Sequence, residues 1–99
     1  MDKNEVLSLA KKYAADVRES LNVQSVILYG SQAKGNPTEN SDIDIAVIVD
    51  DVSGDYLDSV ALLWKLSRKV NADIEPVLLT AADSDSGFLH TVRETGIAV

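Results

Sequence analysis

Residues Tyr29 to Val49 read YGSQAKGNPTENSDIDIAVIV: an apolar segment closing on Gly30-Ser31, a polar loop, and a second apolar segment that opens with Asp42 and Asp44. Side chains alternate between the two faces of a strand, so Asp42 and Asp44 are expected on one face, about 7 Å apart along the chain. Ile43, Ile45, Val47 and Val49 then take the other face. Two like charges side by side at the mouth of an apolar strand are unfavourable unless a cation neutralises them or one carboxyl keeps its proton. A divalent metal ion is the expected occupant.

The Gly-Ser step supplies a complementary group. Glycine at a strand end permits a sharp turn and a close backbone approach, and Ser31 offers a hydroxyl and N–H groups to phosphate oxygens. Asp-x-Asp alone also occurs in solvated turns and calcium loops, and Gly-Ser alone is merely a turn. The run Ile45 to Val49 makes the second segment a buried strand rather than a loop, and the further oxygen ligands and closing Glu of an EF-hand are missing. GSQAKG also lacks the Gly-Lys-Ser/Thr ending of a Walker loop and the Gly-x-Gly-x-x-Gly of a dinucleotide fold. Taken together, Gly30-Ser31 followed by Ser41-Asp42-Ile43-Asp44 resembles the signature of the DNA polymerase beta-type nucleotidyltransferase superfamily. At this length the chain is most similar to the minimal nucleotidyltransferases.

Ninety-nine residues suit one domain, 1–99, with a single core and no room for a separate substrate domain. The hydrophobic content of 45% is that of an ordinary globular protein, and the absence of Cys excludes disulfides and thiolate zinc sites. No apolar run of membrane-spanning length and no cationic-then-apolar leader is present, so a cytoplasmic location is expected, with no membrane partner. A net charge of -7 argues against a long nucleic-acid partner, because phosphate contacts depend on clustered Lys and Arg. The adjacent basic pairs Lys11-Lys12 and Arg68-Lys69 read as solvated helix faces.

In chain order, Asp2 and Glu5 form a capping box, and Val6, Ala10, Tyr13, Ala14, Val17 and Leu21 recur at helical spacing. Val23 to Tyr29 is expected as a strand covered on both faces. Gly35 and Pro37 keep any helical turn after Ser31 short; Lys34 within it is able to touch a nucleotide phosphate, although a solvated loop lysine is the plainer reading. Tyr56 to Val70 predicts a helix with too many apolar positions for one narrow stripe. The plainer reading makes Trp64 and its neighbours core, and the excess makes a partner surface worth testing. Ala72 to Thr80 predicts a third strand, with Asp73, Glu75, Val77 and Leu79 on one face and Pro76 at an open edge or a local break in pairing. Phe88, Leu89 and Val92 follow at helical spacing, His90 lies beside them on or near the surface, and Gly96 is a C-terminal cap before a short final strand.

For Gly30, Asp42 and the third strand to meet at one site, the first two strands must run in opposite directions and the second and third in parallel, with the Tyr56 to Val70 helix as crossover. The expected fold is α/β (α+β), a small mixed sheet with helices packed against it in the order α-β-loop-β-α-β-α. The resemblance implies this nucleotidyltransferase fold and also a third carboxylate standing between hydrophobic residues. Glu75 fits that pattern better than Asp73, which stays as the alternative. Three carboxylates suit Mg2+ or Mn2+. In two-metal chemistry the ions sit about 3.5 to 4 Å apart, on Asp42, Asp44 and the third carboxylate. The resemblance further implies attack of an acceptor hydroxyl on the α-phosphorus of a nucleoside triphosphate, ATP above all, with Gly30, Ser31, Ser41 and Lys34 as nucleotide-binding candidates. It also implies a helical partner of the HEPN class, adenylylated by an antitoxin of this kind in a homo- or hetero-oligomer. A non-catalytic antitoxin that masks its partner, or transfer to a small-molecule hydroxyl, are the alternatives.

Overall fold

A computed structural model of the chain describes residues 2–35, 42–52, 54–83 and 87–99. The elements are α1 (Lys3–Ser20), β1 (Ser25–Tyr29), the short α2 (Ser31–Lys34), β2 (Ile43–Val49), α3 (Tyr56–Val70), β3 (Ile74–Thr80), a 3-10 turn (Ala81–Asp83), α4 (Gly87–Thr95) and β4 (Ile97–Ala98). They build a four-stranded sheet in the order β3-β2-β1-β4. β1 is antiparallel to β2 and β4, and β2 is parallel to β3. The mixed sheet and its strand directions are those the sequence predicts.

Period-2 alternation sorts the sheet into two unlike faces. Ile43, Ile45, Val47 and Val49 join Val26, Leu28, Ile74 and Leu78 under α1 and α3, which contribute Val6, Ala10, Tyr13, Ala14, Val17 and Leu63. The other face carries Ile27, Ala46 and Ile48 under Leu89 and Val92 of α4. With both faces covered, every residue of β2 is buried except Asp44. The second strand is therefore apolar by necessity, and its one half-exposed carboxylate stands where the cover of helices ends.

Local chemistry sets the helix ends. Asp2 Oδ1 accepts the Glu5 N–H at 2.8 Å and Asp55 Oδ1 accepts the Leu57 N–H at 2.8 Å, caps worth about 1 kcal/mol each. The buried Tyr13 hydroxyl donates to the Leu63 carbonyl at 2.9 Å, which ties α1 to α3, and burial pushes its phenol above the ordinary range.

Two expectations are corrected. Trp64 is not core: it is 38% exposed, and Leu57, one helical face along, is 72% exposed. The surplus apolar residues of α3 point outward because Leu63 and Ser67 already fill the face against the sheet. Gly96 does follow α4, and its N–H donates to the Val92 carbonyl at 2.9 Å, but its φ is not left-handed. A side chain there would run into Ile27 Cγ2 and the Leu28 carbonyl, so space rather than backbone conformation requires the glycine.

β3 lies at the sheet margin, and its outward row of hydrogen-bonding groups is interrupted. The Ile43 N–H donates to the Asp73 carbonyl at 2.8 Å, so in a parallel ladder the odd-numbered residues face β2 and the even ones face out. Among these, Ile74 donates to the Asn71 carbonyl at 3.2 Å, Pro76 has no N–H, and the Leu78 carbonyl accepts the Tyr56 hydroxyl at 3.3 Å. Among the described residues no helix is long and apolar enough to cross a membrane.

Candidate active site

β1 stops at Gly30 because the chain must turn where Asp44 stands. Gly30 has φ 75° and ψ −155°, a conformation open to glycine alone. A Cβ at this position would lie 2.5 Å from Asp44 Oδ2. Gly30 then caps α2, whose single turn closes through the Lys34 N–H to the Gly30 carbonyl at 3.1 Å and ends at Gly35, φ 78°. The Gly-Ser step and the second Asp of the Asp-x-Asp pair are thus in contact across two strands.

Strand pairing builds a row across the same end of the sheet. Asp44 is the register partner of Tyr29 on β1 and of Glu75 on β3. Directly opposed residues share a face, so Tyr29, Asp44 and Glu75 stand side by side. Asp42, two residues before Asp44, lies close enough to the Glu75 carboxyl to act on it. Burial, and then the Asp42 charge, hold the Asp44 carboxyl above its ordinary range. Glu75 is exposed as a residue, yet its carboxyl is raised as well, by desolvation first and then by Asp42 and Asp44. Burial with the charges of Asp44 and Glu75 likewise raises the Tyr29 phenol.

The structure brings Asp42, Asp44 and Glu75 together and leaves Asp73 out. Asp73 sits in the turn before β3, its N–H held by Asn71 Oδ1 at 2.8 Å, and it is not among the charges that act on Asp44 or Glu75. Gly30 adjoins the Asp44 carboxylate, Ser31 follows it as the first residue of α2, and Lys34 is exposed in the last turn of that helix. Ser41 lies outside the described residues. His90 is exposed and pairs with Glu94 on α4 at 3.4 Å. The residue that sequence reasoning passed over is Tyr29, for which position next to Gly30 was the available signal; its ring packs edge-on against Phe88, with centroids 5.5 Å apart and planes at 85°.

Among the described residues no three His, Asp or Glu side chains are already gathered as a metal cage. The donor set nonetheless fits a hard divalent cation: three carboxylates offering oxygen, no Cys, and two of the three raised first by desolvation and then by their neighbours' charges.

Residues 10–99 match the family described as Polymerase beta, Nucleotidyltransferase. This chain belongs to that family. Among relatives of this nucleotidyltransferase-family chain, a "putative protein adenylyltransferase" of Methanocaldococcus jannaschii is 40% identical over 76 residues, 75% of each chain. A second protein of that name from the same organism is 33% identical over 67 residues, 64% of this chain and 67% of its own. Solved structures agree on the fold. A "putative nucleotidyltransferase" from Sulfolobus solfataricus superposes with TM-score 0.70 at 22% identity, covering 97% of this chain and 80% of its own. A toxin-antitoxin structure with AMP-PNP gives TM-score 0.60 at 28% identity, covering 99% of this chain and 72% of its own. The family member described here therefore shares its fold with a chain crystallised alongside an ATP analogue.

Proposed function

We propose that the protein transfers the adenylyl group of ATP to a hydroxyl on a helical protein partner. The observation that carries this reading is the convergence of Asp42, Asp44 and Glu75 at one sheet end, with the Asp44 carboxylate seated against Gly30. Similarity to protein adenylyltransferases supports the donor and the class of acceptor, and similarity to toxin-antitoxin structures supports a protein partner. The HEPN class is the partner proposed.

In the proposed reaction the acceptor oxygen attacks the α-phosphorus, the bond from that phosphorus to the bridging oxygen of the β-phosphate breaks, and pyrophosphate leaves. Asp42, Asp44 and Glu75 would hold Mg2+ or Mn2+, which supplies charge neutralisation of the phosphates and acidifies the attacking hydroxyl. Glu75 would either help to hold that ion or take the proton that the hydroxyl loses. Gly30 and Ser31 would present backbone and hydroxyl groups to the β- and γ-phosphates, with Ser41 and Lys34 as further candidates. The outward Leu57 and Trp64 of α3 give the partner an apolar surface to meet.

The same exposed stripe would serve an antitoxin that only masks its partner, so one experiment must separate the two readings. The protein is incubated with α-labelled ATP, magnesium and the product of the adjacent reading frame, in parallel with Asp44→Asn. Label on the partner with wild type alone is the expected result. Neutralisation by both proteins with no label transferred would establish masking and overturn the enzymatic reading.

A further inference from the structure

Phe88 opens α4 differently from its neighbours: Leu89 and Val92 are buried, whereas Phe88 is 45% exposed. Its ring nevertheless has a partner, standing edge-on to Tyr29 in the geometry that aromatic quadrupoles favour. Tyr29 is the β1 partner of Asp44, and Glu75 is its β3 partner. The ring pair therefore borders the side of Asp44 away from Glu75. Tyr29 also directly precedes Gly30-Ser31, so the two rings flank the phosphate side of the row rather than the side where Glu75 would meet an acceptor.

A nucleotide whose phosphates lie at Gly30-Ser31 carries its base outward from there, and a half-exposed, braced ring on that side offers a flat apolar surface. We propose that Phe88, held by Tyr29, is the platform on which the base of the donor nucleoside triphosphate stacks. The proposal rests on the reading of Asp42, Asp44 and Glu75 as the transfer site. Every base has a π-face, so stacking adds affinity without choosing among bases. Phe88 then contributes to holding ATP and GTP alike and contributes nothing to holding phosphate alone.

Titration calorimetry in magnesium with ATP, GTP and inorganic tripolyphosphate tests this on wild type, Phe88→Ala, Phe88→Leu and Phe88→Trp. Loss of a base–aromatic stack weakens binding by about fivefold to a hundredfold. Phe88→Ala and Phe88→Leu are expected to lose that much for both nucleotides, to keep tripolyphosphate affinity, and to be matched by wild-type affinity in Phe88→Trp. Leucine preserves apolar bulk, so its loss reports on the ring face rather than on folding. Nucleotide affinity unchanged in Phe88→Leu, or tripolyphosphate affinity lost along with it, overturns the platform while leaving the transfer site standing. Failure of wild type to bind either nucleotide or tripolyphosphate overturns both.

Discussion

The Asp44 carboxylate rests against the α-carbon of Gly30, leaving no volume for a methyl group between them. Gly30 is thereby constrained twice, by its backbone conformation and by its neighbour, whereas Gly35 at the other end of α2 has φ 78° and nothing within 4 Å of a Cβ. Gly30→Ala is expected to lower stability by about 1–3 kcal/mol from backbone strain, plus the displacement of Asp44. Gly35→Ala should lose only about 1–2 kcal/mol and retain transfer. Thermal melts with activity assays check this, and equal losses in the two variants would remove the steric role of Asp44.

Asp42→Asn and Asp44→Asn are expected to abolish transfer and yet fold at least as stably as wild type without metal, because each removes a like charge from the cluster. The pH dependence carries a definite sign. Asp44 and Glu75 are raised above their ordinary values of 3.8 and 4.5, so both hold protons more tightly folded than unfolded. Their stabilising contribution is complete below those values and disappears as pH rises through the raised ones. Just above pH 3.8–4.5, metal-free wild type should lose stability with rising pH relative to Asp44→Asn, and magnesium should reverse the trend. Melts across that range, with and without magnesium, decide it; wild type stabilised by magnesium no more than Asp44→Asn would count against the metal assignment.

Glu75→Gln should impair transfer far more than Asp73→Asn. Of the two, Glu75 pairs in register with Asp44 and feels the charges of Asp42 and Asp44. Initial rates of both variants at saturating ATP and magnesium are the measurement. Wild-type activity in Glu75→Gln would return the third-carboxylate role to Asp73 or remove it.

Leu57→Ser and Trp64→Ser should leave the fold within about 0.5 kcal/mol for the more exposed Leu57, with a larger loss at the half-covered Trp64. Partner capture in pull-down should fall in both, while the Gly-Ser and carboxylate groups still bind ATP. Undiminished capture would move the docking surface away from α3.

Much of this architecture was legible from local pattern. Alternation from Ile43 to Val49 gave the strand and its faces, and Asp2 with the helical spacing of Val6 to Val17 gave the start of α1 and its core. What local pattern could not resolve was pairing at long sequence separation. Asp73 and Glu75 share parity, so only the start of β3 separates them, and that start depends on Asn71 holding the Asp73 N–H in a turn. The contact of Tyr29 with Phe88 needs α4 folded back over the sheet. Gly96 reads as a cap in either case, because a glycine required by a neighbour looks the same in sequence as one required by its own φ. Trp64 was misread since hydrophobicity reports what can be buried, not which helix face the sheet has room to cover.

The outer margin of β3 bears on how any partner can bind. With Pro76 offering no donor, the Ile74 N–H held within its own turn and the Leu78 carbonyl taken by Tyr56, a visiting strand could not zip along that border residue by residue. Recognition on this flank has to be read from side chains, and so from sequence, because the backbone there no longer offers the contiguous hydrogen-bonding row that any extended peptide could exploit.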